Sequence, residues 1–213
     1  MVTLISKLMQ FVLLSTAKYG IDESHGVSHS MNILHYAHKI YNSELPKLPN
    51  LKEAERTIYV SAIIHDMCDK KYMKEEDGIK RIEDFLQEEI TKEEIDTTKL
   101  IISTMSYSKV KKNGFPNIED PLKQTAYHIV RESDLLTAYD FDRSILYHMH
   151  QSKADINQAY KNAYELFENR IFRHEDDGLL LTDFSKNEAL ILKTNAMHRI
   201  QTWKTLLKNP ILF

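Results

Sequence analysis

The spacing of apolar residues commits this chain to helices. Leu51, Ala54, Ile58, Ala62 and His65 recur at intervals of three and four, the period that lines up side chains on one face of an α-helix. Ala126, Val130, Asp134 and Thr137 repeat it over 120–138. Ile145, Met149, Ser152, Ile156, Ala159, Ala163, Leu166 and Arg170 carry it through what reads as one long helix. Ala189, Leu192, Ala196, Ile200, Trp203 and Leu207 give another at the C-terminal end. Ile5, Leu8, Val12 and Tyr19 mark an amphipathic first helix, whose Lys7, Gln10 and Lys18 argue against a secretory signal. No run alternates in polarity, so a β-sheet core is not expected. Pro46 and Pro49 punctuate a loop near 44–50, and Gly114, Pro116 and Pro121 another near 112–121. Asp176-Asp177-Gly178 reads as a turn, with glycine free to take the left-handed conformation. None of these loops is long enough to be a domain linker. The expectation is one compact all-α domain over 1–213, a bundle of about seven to nine helices.

Composition narrows the function classes. With 213 residues there is enough chain for one sizeable core. The net charge of −3 supplies no global basic field, so nucleic acid is not expected as a partner. The one basic run, Lys109-Val110-Lys111-Lys112, reads as a solvated loop. The single cysteine, Cys68, excludes an internal disulfide and fits a reducing, cytoplasmic setting. It follows His65 by three residues, and a buried, inert thiol is the reading preferred over a ligand. No stretch approaches the ~20 apolar residues needed to span a membrane.

The chemistry concentrates at His65-Asp66, which closes the apolar run from Tyr59. An ionised carboxylate there is costly unless a partner or a metal compensates it. Upstream, His25 and His29 open a helical pattern that carries Ile33, Tyr36 and Ile40 on its face. Downstream, Asp134 lies on the stripe of the 120–138 helix. Three helices thus each aim a ligand-type residue inward, as bundles do when they build metal sites. Imidazole plus carboxylate suits Mn, Mg, Fe, Ni, Co or Zn better than a thiolate-preferring ion. His35, His38, His128, His148, His150, His174 and His198 are read as ordinary, hydrogen-bonded histidines.

The order and spacing of these residues resemble the HD-domain metal-dependent phosphohydrolases. His25-Gly26-Val27-Ser28-His29 looks like the family's His-x-x-x-His opening. His65-Asp66-Met67-Cys68-Asp69-Lys70-Lys71-Tyr72 looks like the His-Asp-x-x-Asp-x-Lys-aromatic version of its small bacterial nucleotide pyrophosphohydrolases. Ile101-Ile102-Ser103-Thr104-Met105-Ser106-Tyr107 is similar to another segment of that subgroup, and Asp134 stands where its last ligand falls. The likeness covers about 20–140, leaving helices over 141–210 to pack on that core. One departure is visible: the subgroup follows its last ligand with Arg-Leu-Asp, and here Leu135, Leu136 and Thr137 stand in that place.

The resemblance implies an HD-type bundle holding one divalent ion through His29, His65, Asp66 and Asp134. It implies that Asp69, with Asp66, carries the acid–base work on the attacking water. Lys71, and more weakly Lys109, would hold phosphate, and His25 would bind phosphate or orient a ligand. The implied substrate is a nucleotide or similar small phosphate ester, with nucleoside triphosphate giving monophosphate and pyrophosphate as the subgroup's reaction. Two competing readings remain: a 5′-nucleotidase-type phosphomonoesterase, and a non-catalytic module that holds metal or nucleotide. The sequence leaves the oligomeric state open, a homodimer included.

Overall fold

A short helix that is buried on every side organises the protein. In this computed structural model, which describes residues 1–208, every residue from Thr57 to Ile64 is buried. That helix, α3 (Glu55–Ile64), feeds two apolar clusters at once. Ile58, Tyr59 and Ala62 join the larger cluster, and Val60, Ile63 and Ile64 join the smaller. A helix apolar all round belongs at a centre, because it has no face to give to water.

The remaining elements wrap it. In chain order they are α1 (Val2–Tyr19), α2 (Val27–Glu44), α4 (Glu75–Leu86), α5 (Lys92–Thr104), α6 (Tyr107–Asn113), α7 (Pro121–Thr137), α8 (Phe141–Gln151), α9 (Ile156–Asn169) and α10 (Asp183–Lys208). Short 3-10 turns cover Glu23–His25, Pro49–Ala54, His65–Cys68 and Ile171–Arg173. No strand occurs among the described residues. The all-α expectation holds, with ten α-helices among the described residues rather than the seven to nine expected. Residues 209–213 of the expected domain, and with them the last two residues of the expected 141–210 helical range, lie outside the described residues. The larger cluster is built chiefly where α2 packs on α7 and α3, and α8, α9 and α10 close onto it. The smaller one joins α1, α3, α4 and α5.

Helix starts follow local chemistry. Thr91 and Glu94 form a capping box at α5: the Thr91 hydroxyl accepts from the Glu94 amide at 3.3 Å, and Glu94 accepts from the Thr91 amide at 2.9 Å. Asp120 caps α7 ahead of Pro121, and Asp140 caps α8 by accepting from the Arg143 amide at 3.1 Å. Gly178 takes φ +66 after the Asp176-Asp177 pair, as its sequence suggested.

Two expectations need correction. The stripe from Ile145 to Arg170 is not one helix. It breaks at Ser152–Asp155, where Lys153 turns to φ +48 and Asp155 starts α9 by accepting from the Gln158 amide at 2.9 Å. A new cap wins over continued periodicity because it satisfies amides that would otherwise be orphaned. The basic run at 109–112 is not a loop either. It lies in α6, where Lys109 pairs with Glu75 and Lys111 with Asp177 at 3.0 Å.

Candidate metal centre

The α3 helix stops at Ile64, and the chain tightens into the 3-10 turn His65–Cys68. No further α-turn follows to put His65 and Asp69 on one helical face. Asp69 instead ends the turn with extended backbone, φ −65 and ψ 126. This tighter turn sits against α4, where Gly78 approaches so closely that a Cβ would lie 2.6 Å from the Cys68 Cα. Cys68 itself is buried, and burial pushes its thiol up to about 12, which fits the inert reading.

His29, on the first turn of α2, meets His65 and Asp66 at this turn. One donor atom from each residue lies within 4.8 Å of the others. His29 Nε2 stands 3.1 Å from Asp66 Oδ2, and His65 Nε2 stands 3.2 Å from Asp66 Oδ1. Both Nε2 atoms and Asp66 Oδ2 are nevertheless buried without a hydrogen-bond partner, because their directions miss one another. Buried polar atoms are seldom left so. Donors this close, each left without a hydrogen bond, are compatible with ligands at ~2.0–2.2 Å from one ion. These three residues could therefore hold a metal ion. Asp134, on α7 and more exposed, brings Oδ1 to 3.7 Å from His29 Nε2 and 3.9 Å from His65 Nε2. It lies near both rings but outside the three-residue group.

The carboxylates and Arg143 pull the two histidines in opposite directions. Burial alone would lower His65, but the carboxylates of Asp66 and then Asp134 push it up to about 9. Asp66 is held well below the usual carboxylate range against its own burial, chiefly by His65. His29 behaves oppositely: burial, then the Arg143 guanidinium, bring it down to about 4. His65 is oriented by its Nδ1, 3.0 Å from the Ala62 carbonyl, which leaves Nε2 for the site.

The other expected residues divide. Lys71 and His25 come together beside the trio, with Lys71 Nζ 3.4 Å from His25 Nε2. Lys71 also meets Asp69 Oδ2 at 3.3 Å, and its backbone amide donates to Asp69 Oδ1 at 2.9 Å. His25 is fixed from behind by Ser24 Oγ at 2.7 Å and Tyr72 Oη at 3.2 Å. Lys109 is already committed to Glu75 and to the Ser103 carbonyl at 2.8 Å, so it offers no free ammonium.

Several residues of the region carry no signal in the motifs. Asp22 accepts from Tyr72 Oη at 2.5 Å and from Gln151 Nε2 at 3.2 Å, tying the His25 turn to α8. Although burial opposes it, these bonds with those of His25 and Ser24 hold Asp22 well below the usual carboxylate range. Arg143 donates to His29 Nδ1 at 2.8 Å. Glu132, wholly buried, accepts from the Leu181 amide at 3.0 Å and from Thr182 Oγ1 at 2.8 Å, which fastens the start of α10 to the helix bearing Asp134. His174, read as an ordinary histidine, is wholly buried with neither ring nitrogen partnered.

No family model matches the chain, and no curated protein does. Among solved structures it is similar to the crystal structure of a Lactobacillus plantarum protein, a structural-genomics target. The two share 17% identity over 97% of each chain, with a TM-score of 0.70. At that identity the likeness shows a shared fold and no more. Among the described residues no helix is long and apolar enough to cross a membrane.

Proposed function

We propose that this protein is a divalent-metal-dependent phosphohydrolase of the cytoplasm that acts on a nucleotide or a similar small phosphate ester. The observation that supports it is the group of unpartnered, buried donors: His29 Nε2, His65 Nε2 and Asp66 Oδ2, with Asp134 Oδ1 at 3.7 and 3.9 Å from the two ring nitrogens. The HD-type resemblance of the same four residues in the sequence points the same way. A divalent ion supplies Lewis acidity there, lowering the pKa of water and offsetting charge on a phosphoryl oxygen. Mn, Mg, Fe, Ni, Co and Zn all suit the donor set.

The protein's own groups have distinct tasks in this reading. Asp69, its carboxylate oriented by the Lys71 amide, takes the proton from the attacking water. The Lys71 ammonium offsets phosphate charge, and His25, buried and braced by Ser24 and Tyr72, donates to a phosphate oxygen or keeps Lys71 in place.

A metal-supplemented assay against a panel of nucleotides, reading orthophosphate and pyrophosphate separately, tests the proposal. Release of pyrophosphate from triphosphates supports the pyrophosphohydrolase reading, and orthophosphate from monophosphates supports the phosphomonoesterase. No turnover with retained metal leaves a binding module. Asp134→Ala should weaken metal binding by about tenfold or more, since one charged ligand is lost, while helical content survives. Full metal occupancy in that variant, by elemental analysis, would take Asp134 out of the site.

A further inference from the structure

A cavity of about 680 Å³ lies between α9 and α10, the size that takes one small organic molecule. None of the metal-centre residues lines it. Its walls are braced by the interior, because each helix turns another face into the larger apolar cluster. Ala163 and Phe167 do so from α9, and Ala196 and Ile200 from α10. Phe172, just past α9, is steadied by the Phe167 ring, with centroids 5.4 Å apart and planes at 85°. A cavity built on a packed core is formed before anything enters it.

The lining divides into an apolar floor and a charged end. Tyr160 and Tyr164, one turn apart on α9, present near-parallel rings with centroids 6.4 Å apart. Across from them, Met197 and Ile200 line the cavity from α10. Tyr164 and Met197 remain 42% and 55% exposed, apolar surface that a ligand would take out of water. Three ammonium groups line the cavity, from Lys193, Lys204 and Lys208, against one carboxylate, from Glu168. That excess reverses the balance of the whole chain, whose net charge is −3. Lys193 is already engaged, with Nζ 3.4 Å from the Phe172 carbonyl oxygen and 5.5 Å from the Phe172 centroid. Arg199, on the same helix, is held by Asp142 at 2.6 Å, but no carboxylate among the described residues pairs with Lys204 or Lys208. These two stand one turn apart at the end of α10. At a rise of ~1.5 Å per residue, Lys204 lies about 16 Å along the helix from Lys193, with Met197 and Ile200 between them. A neutral hydrocarbon would leave the two cations unanswered, and an inorganic anion would leave the floor uncovered.

We propose that this cavity binds a small amphipathic anion, its apolar body along Tyr164 and Met197 and its charged end at Lys204 and Lys208. The site is separate from the metal centre and does not depend on the reaction proposed there.

Calorimetric titration of the full chain with decanoate, below its micellar range, tests it, with acetate as the head alone and decanol as the tail alone. Wild type should bind one decanoate and no acetate. Loss of charge-assisted contacts predicts at least about tenfold weaker decanoate binding in the double variant Lys204→Glu/Lys208→Glu, with decanol changed by less than about twofold. Met197→Glu sets a carboxylate on the floor and should weaken both ligands by at least about tenfold. Lys161→Glu, exposed on α9 and outside the lining, should leave both unchanged. No decanoate binding by wild type, equal losses of decanoate and decanol in the lysine variant, or a loss in Lys161→Glu overturns the proposal. Should the lysine variant not fold, Met197→Glu decides, and wild-type affinity for decanoate there overturns it. Two other occupants would also overturn it. Decanoate binding that appears only when residues 209–213 are removed gives the cavity to the chain's own last residues. A wild-type dimer in sedimentation that Met197→Glu turns into monomer gives it to a second copy.

Discussion

Arg143 donates to Nδ1 of His29 at 2.8 Å, and a guanidinium can only donate. The neutral ring therefore carries its proton on Nε2, the atom that faces Asp66. A metal ion needs the Nε2 lone pair, so loading it requires the proton to move to Nδ1 and Arg143 to let go. Arg143 also contacts Thr137 Oγ1 at 3.1 Å, which gives it a second place to rest. Arg143→Gln, whose carbonyl oxygen can accept from Nδ1–H, should bind Mn²⁺ more tightly by about tenfold. Weaker binding by calorimetry would show that the arginine supports the loaded site and does not oppose it.

Asp69 and Lys71 should separate chemistry from grip. Asp69→Asn is expected to keep the metal and lose about 10²-fold or more in turnover, the scale of a positioned acid–base group. Lys71→Ala should harm triphosphates more than monophosphates, with little change between bases, because an ammonium acts as a point charge. Lys109→Ala should matter less, since Glu75 already holds that ammonium. Steady-state kinetics on a nucleotide panel checks all three, and wild-type rates in Asp69→Asn would leave it a turn residue.

Stability should fall on both sides of neutrality, for different histidines. His174 is held at about 3, and His29 and His128 at about 4, in each case first by burial. Below an unfolded value of about 6.5 the unfolded chain takes up protons that these rings refuse, so their contribution is present above about 6.5 and is lost as pH falls toward 3–4. His65 is raised to about 9, so its contribution is full below about 6.5 and is lost as pH rises through 9. Urea midpoints with chelator present should show both limbs. His174→Gln should flatten the acid one, and an unchanged acid limb would exclude His174 as its source.

Gly78 is expected to be intolerant of any side chain. Its Cβ would lie 2.6 Å from Cys68 Cα and 2.8 Å from Cys68 Cβ, contacts that backbone cannot yield cheaply. Gly78→Ala should cost about 1–3 kcal/mol and weaken metal binding with it, because the same 3-10 turn carries Asp66. Thermal melts and metal titration on one variant read both. Loss of stability with full metal affinity would mean that α4 moves and the turn does not.

What could be read in advance was what lies on a helix face or beside it. His29, His65 and Asp134 each sit on a periodic stripe, so their convergence followed from helices packing at all. Asp66 needed only its neighbour. Arg170 was visible as a polar end to an apolar stripe, but the break at Ser152–Asp155 was concealed by the unbroken period. Arg143 reaches His29 across 114 residues of chain, and no local pattern encodes such a meeting. Lys109 shows the converse. Its basic neighbours read as a solvated loop, while the acid that claims it, Glu75, lies on a different helix.

Because α3 lends residues to both apolar clusters, neither cluster can open without disturbing the turn that follows this helix. An ion held there would act as a cross-brace between two halves of the interior. Its binding energy would be felt far from the site as slower exchange of amide hydrogens in α2 and α3 together, in step with metal concentration. Removing the ion should loosen both clusters at once, so that the bundle becomes protease-sensitive as a whole while its surface helices are still formed.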